Sequence, residues 1–103
     1  MEKFVAARYF GFDESGVFVH GKVSAGLSMV LGFRRPTSIA CDACECTYAL
    51  LHNGTECYSN STVGIDEVSA LRRSMSHAAI AIRDRVLIKW GVVIPDEYFD
   101  DLR

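Results

Sequence analysis

Over roughly the first sixty residues apolar positions recur at intervals of about two, and beyond Gly64 they recur at three and four, which predicts a run of strands followed by one helix. Phe4 to Phe12, with Phe4, Tyr9, Phe10 and Phe12, reads as the first strand. Asp13-Glu14-Ser15-Gly16 is a turn, because its glycine tolerates the positive φ with which a type I turn closes into a bulge. Val17 to Val23 and then Ser24 to Phe33 continue as a long second strand, where Gly21, Gly26 and Gly32 mark a bend or a break into two pieces. Arg34-Arg35-Pro36-Thr37-Ser38 reads as a connection, since proline lacks the ladder donor. A third strand, Cys44 to His52, and a fourth, Thr55 to Thr62, flank Asn53-Gly54, the dipeptide suited to a two-residue hairpin turn. In that register His52 faces Thr55, Leu50 faces Cys57 and Cys46 faces Ser61. Alternation then puts Cys46, Tyr48, Leu50 and Cys57 on one face, and Thr47, Ala49, Leu51, Glu56 and Tyr58 on the other.

The helix begins at Asp66, an N-cap residue with Glu67 behind it to complement the helix dipole. Val68, Leu71, Met75, Ala78, Ala79, Ile82 and Val86 form its apolar stripe, and Gly91 ends it. Val92-Val93-Ile94-Pro95 leaves in extended form, and Asp96 to Arg103 is a tail that is either mobile or a short helical turn. The expected architecture is α+β: a four-stranded antiparallel meander followed by one long helix packed on one face. Residues 1–103 form a single domain, with 1–90 as its sheet-and-helix core and 91–103 as a C-terminal extension.

Composition narrows the function classes. Half of the 103 residues are apolar and 23% are charged, as in a globular domain. Eleven Lys and Arg against thirteen Asp and Glu leave a formal charge of −2, so no global field favours nucleic acid. Arg34-Arg35, Arg72-Arg73, Arg83 and Arg85 read as solvated charge, and no nucleic-acid partner is expected. The segment Met1 to Arg8 lacks the apolar run of a secretory leader, and no stretch reaches the roughly 18 uncharged residues of a membrane helix. The expected location is therefore the cytoplasm, and the sequons Asn53-Gly54-Thr55 and Asn60-Ser61-Thr62 read as turn and strand-edge residues.

Cys41, Cys44, Cys46 and Cys57 invite a zinc reading, because the first pair has knuckle spacing. Cys41-Asp42-Ala43-Cys44 lacks the usual glycine, and Cys46 and Cys57 sit about 13 Å apart along the predicted hairpin. The thiols read first as small apolar residues, with no metal or cofactor expected. A cysteine-based zinc-binding protein, using Cys41, Cys44 and a histidine, is the alternative. Cys41, Cys44, Ser74 and Ser76 are available nucleophiles and His20, His52 and His77 available bases, but no catalytic spacing joins them, so no enzyme is expected.

Gly32-Phe33-Arg34-Arg35-Pro36, Cys46-Thr47-Tyr48-Ala49-Leu50 and Val63-Gly64-Ile65-Asp66-Glu67-Val68-Ser69-Ala70-Leu71 together resemble a family of small, uncharacterised bacterial domains. Members carry a glycine-basic-proline loop, a Cys-x-Tyr strand and a Gly-Val-Asp helix start. The resemblance spans Phe4 to Val86, without the tryptophan usual before the Cys-x-Tyr strand and with Cys41, Cys44 and Cys57 added. It implies a fold and supplies no catalytic residue.

A sheet with one helix leaves its second face uncovered, and that face would carry Tyr58 and Leu51. Capture of another protein there, or a homodimer through the same face, is the expectation. Asp96, Glu97, Tyr98, Asp100 and Asp101 would steer a basic partner such as a nuclease toxin. The resulting reading is a non-catalytic protein-binding domain of the kind found in immunity-type inhibitors of bacterial toxins.

Overall fold

Alternating β-branched and aromatic residues build an antiparallel sheet, and a capped amphipathic segment lies across it, in a computed structural model that describes residues 3–103. Met1 and Glu2, with which the leader reading begins, lie outside the described residues. The strands are β1 (Ala6–Phe12), β2 (Phe18–His20), β3 (Leu27–Phe33), β4 (Thr37–Ala40), β5 (Ala43–His52) and β6 (Thr55–Gly64). Helix α1 (Glu67–Trp90) follows, and a short 3-10 turn at Asp100–Leu102 ends the chain. The smallest dimension, 20 Å, is that of two packed layers.

The sheet has six strands, not the expected four-stranded meander. Two corrections account for the difference. The long second strand is two pieces on opposite edges of β1: β2 pairs Phe10 with His20, whereas β3 pairs Phe10 with Met29. The segment expected to be only a connection contains β4, since Pro36 interrupts the strand but Thr37 resumes pairing, against Glu45. β3 and β4 thus lie end to end along one side of β5, and β6 lies along the other.

Asn53 takes φ 51° and Gly54 φ 81°, the left-handed pair required by a tight hairpin. His52 faces Thr55 as the turn predicts, but a bulge follows, so that Leu50 faces Tyr58 and Cys46 faces Thr62. Cys57 is the extra residue, and its thiol donates to the Leu50 carbonyl at 3.3 Å. Tyr58, expected on the uncovered face, therefore packs with Cys57 against the helix-side core.

Asp66 caps α1 by accepting from the Ser69 amide at 2.7 Å, while the Ser69 hydroxyl receives the Asp66 amide at 3.1 Å. Gly91 closes the other end in a left-handed conformation. The inward side carries Ala70, Ser74, Ala78, Ala79, Ile82 and Val86. Leu71 and Met75 are half-buried beside it, and Val68, expected in the stripe, is 67% exposed. The physical reason is proximity. A Cβ on Gly64 would stand 2.4 Å from the Ala70 nitrogen, so where β6 runs into the helix only small residues fit between them. Ser74 fills the next position, fully buried, and its hydroxyl bonds to the Cys46 carbonyl at 2.7 Å and to the Thr62 hydroxyl at 2.8 Å.

Helix α1 covers β5 and β6. The tail covers the other half of the same face. Ile94 and Phe99 belong to the core with Phe10, Leu31, Tyr48 and Ile82. Residues 91–103 are thus a structural part of the core, and the rings of Phe10, Phe18, Tyr98 and Phe99 form one cluster with centroids 4.7–6.3 Å apart.

Candidate protein-binding surface

The residues expected to meet a partner are distributed by the fold into three places. The tail carboxylates lie against the chain's own arginines: Arg8 donates to Asp101 and to the Tyr98 carbonyl, Arg83 donates to Asp96, and Arg103 lies 3.7 Å from Asp100. The Arg8 hydrogen bond, more than its charge alone, holds the Asp101 carboxyl below the usual aspartate value. Tyr98 places its ring in the core cluster and its hydroxyl 2.5 Å from Nδ1 of His20. The Glu97 side chain stays exposed. Asp96 and Asp101 nevertheless keep 86% and 63% of their side-chain surface exposed.

Tyr58 lies on the helix side, beneath the Arg85 guanidinium, which is 4.5 Å from its ring centre. Burial pushes its hydroxyl up, but hydrogen bonds with Tyr48 and Asn60 and the Arg85 charge outweigh this and leave it below the ordinary phenol value. Tyr48 behaves oppositely. Its burial, reinforced by Tyr58, raises its hydroxyl well above the ordinary value, so it keeps its proton at neutral pH. That hydroxyl sits 2.5 Å from Nδ1 of His77.

The face away from the helix is not the open apolar surface expected. Leu51 is 8% exposed and Ala49 is fully buried, although no second layer packs there among the described residues. Side chains of the sheet's own margins roof it. The Phe4 ring occupies the space over Gly32, where a Cβ would approach to 2.2 Å, and Arg34 lies 5.8 Å from that ring while bonding to Glu56 at 2.8 Å. Lys22 stands 5.2 Å from the centre of the Tyr9 ring.

What stands open instead is an edge. Among the described residues, β6 pairs with β5 alone and turns its other side outward over ten residues, none of them proline or lysine. An open groove of about 590 Å³ runs between this edge and α1, lined by Thr62, Val63, Arg72, Arg73, Ser76 and Ile80, with His77 at its margin. Arg73 donates to the Val63 carbonyl at 3.2 Å. Val63 and Ile80 are large apolar residues left 44% and 60% exposed there. Sequence reasoning assigned Arg72 and Arg73 to solvated charge, and nothing in a one-dimensional pattern distinguishes an arginine beside an open strand edge from one on a free helix face.

No family model, curated protein or solved structure matches this chain. Several residues of the motifs singled out in the sequence have packing roles. Gly32 receives Phe4, Tyr48 is buried in the core, Gly64 admits Ala70, and Asp66 caps the helix. Cys46 is buried with its thiol donating to the Arg34 carbonyl at 3.4 Å.

The thiols behave accordingly. Burial pushes Cys46 up despite its Ser74 hydrogen bond, and burial pushes Cys57 up despite Lys89. Cys41 is exposed and Cys44 half-buried, and among the described residues no three His, Cys, Asp or Glu side chains converge as a metal ion requires. His52 stacks on Trp90 at 5.1 Å. No helix among the described residues is long and apolar enough to cross a membrane.

Proposed function

We infer that this chain is a cytoplasmic, non-catalytic protein-binding domain that meets its partner along the side formed by β6 and α1. One observation carries the reading: among the described residues the ten-residue β6 pairs with β5 alone, and only its Ser61 amide and Val63 carbonyl are met by side chains of the chain itself, Asn60 and Arg73. Backbone donors and acceptors along such an edge are satisfied by water or by another chain, and an added strand satisfies them in register. Small size and net acidity favour the immunity-type form of this reading.

The test is affinity capture with the full chain from the source cell, followed by calorimetry on the purified pair. A protein bound in a fixed ratio, and released by substitutions on β6 or the facing side of α1, is the expected result. Retention of no protein at all, with a monomer in sedimentation, overturns the reading.

A further inference from the structure

The open edge has a chemical preference. We propose that β6 accepts an acidic, extended segment of a partner protein as an added strand, whose side chains on one side enter the groove between β6 and α1. This rests on the protein-binding reading above and names the partner's chemistry. Strand addition uses backbone groups that every polypeptide possesses, so selectivity comes from the flanking side chains. Here those are Arg72 and Arg73, and no carboxylate of the described residues lines the groove with them. Four other arginines are matched, Arg8 with Asp101, Arg34 with Glu56, Arg83 with Asp96 and Arg103 with Asp100, and Arg85 lies over the Tyr58 ring. On a chain whose net charge is −2, two adjacent arginines with no carboxylate of the described residues bonded to them thus stand beside the long β6 edge.

The rest of the groove sets the form of the ligand. Between the bulge at Cys57 and the buried Gly64, Tyr58 to Val63 offers an edge of about 20 Å at ~3.3 Å per residue, and an added strand would displace the Asn60 side chain from the Ser61 amide. Val63 and Ile80 present exposed apolar surface to it. Arg73, bonded to the Val63 carbonyl, lies at the end of that edge, where an incoming carboxylate would meet the guanidinium. The segment that fits alternates acidic with β-branched residues. A second copy of this chain fits poorly, because its β6 holds one carboxylate, Glu56, and it would bring its own Arg72 and Arg73 to the same edge.

The probe is a random library of twelve-residue peptides panned on the purified full chain, with the enriched peptide then titrated into labelled protein and followed by backbone amide shifts. Enriched sequences should be acidic and alternating, with shifts on Tyr58–Gly64 and residues 72–80. Affinity should fall tenfold or more on N-methylating alternate backbone nitrogens of the peptide or in Arg72→Glu/Arg73→Glu, and should weaken as salt rises. If that double variant does not fold, Arg72→Glu alone carries the same expectation. Enrichment of basic or helical sequences, or of none, overturns the proposal. So do shifts at another surface, indifference to N-methylation, or a dimer in sedimentation that shields β6. A natural partner bound away from β6 would overturn strand addition while leaving the binding-domain reading intact.

Discussion

At one edge of the sheet β2 is three residues long, and the tail folds back so that Phe99, 1% exposed, packs edge-on against Phe10 at 5.6 Å. At the opposite edge β6 is ten residues long with β5 as its one partner among the described residues. The closed edge is short, aromatic and tied by Arg8 to the last turn of the chain. The open edge is long and polar, and Arg72 and Arg73 line a groove beside it in which none of the described carboxylates takes part. Both ends sit under the same helix-and-tail layer, so the difference arises at the margins: one margin is used to complete the core, the other is left available.

The largest test of this contrast is Phe99→Ala, which should cost about 3–5 kcal/mol in urea denaturation because it empties a fully enclosed aromatic site. A loss under 1 kcal/mol would mean that the tail does not seal that edge. Next, Gly64→Val should cost about 1–3 kcal/mol, since its Cβ would stand 2.3 Å from the Ser69 hydroxyl oxygen and push the end of β6 off the helix. The same substitution should weaken partner binding, which thermal melts and titration together would separate.

A smaller effect is expected at Asp101. Its carboxyl titrates lower in the folded chain than in the unfolded one, so the ion pair stabilises above the ordinary aspartate pKa of ~3.9 and is lost as pH falls through the depressed value. Asp101→Asn should therefore lower stability by about 0.2–1 kcal/mol at neutral pH, the pair being solvent-exposed, and by nothing in strong acid. Melting curves of both proteins across that range check the sign. The smallest change is Ile80→Ser on the outer side of α1, which should alter stability by less than about 0.5 kcal/mol yet reduce peptide affinity. Equal losses in both would mean that Ile80 is structural and would dissolve the distinction between the edges.

Much of the local structure was legible. Asn53-Gly54 sets the hairpin turn, Asp66 and Gly91 bound the helix, and the breaks in the second strand fall where the glycines suggest. The bulge at Cys57 was not legible, because an extra residue leaves no mark on an alternating pattern until the partner strand is in place. It moves Tyr58 to the opposite face. Likewise hydrophobicity favoured Val68 for the helix interface, whereas close approach to Gly64 selects Ala70 and Ser74. Apolar spacing reports which side of a helix is greasy; it does not report how near the neighbouring backbone comes.

The amino-acid order alone determined the hairpin turn, the helix and its ends and most of the strands, though not β4, since these depend on residues within a few positions of one another. Tertiary structure alone decided which carboxylates meet arginines, which arginines line the groove beside β6, and that the long β6 is left with one neighbour among the described residues. Those outcomes join residues as far apart as Arg8 and Asp101, and only the packed chain brings such pairs within reach of a hydrogen bond.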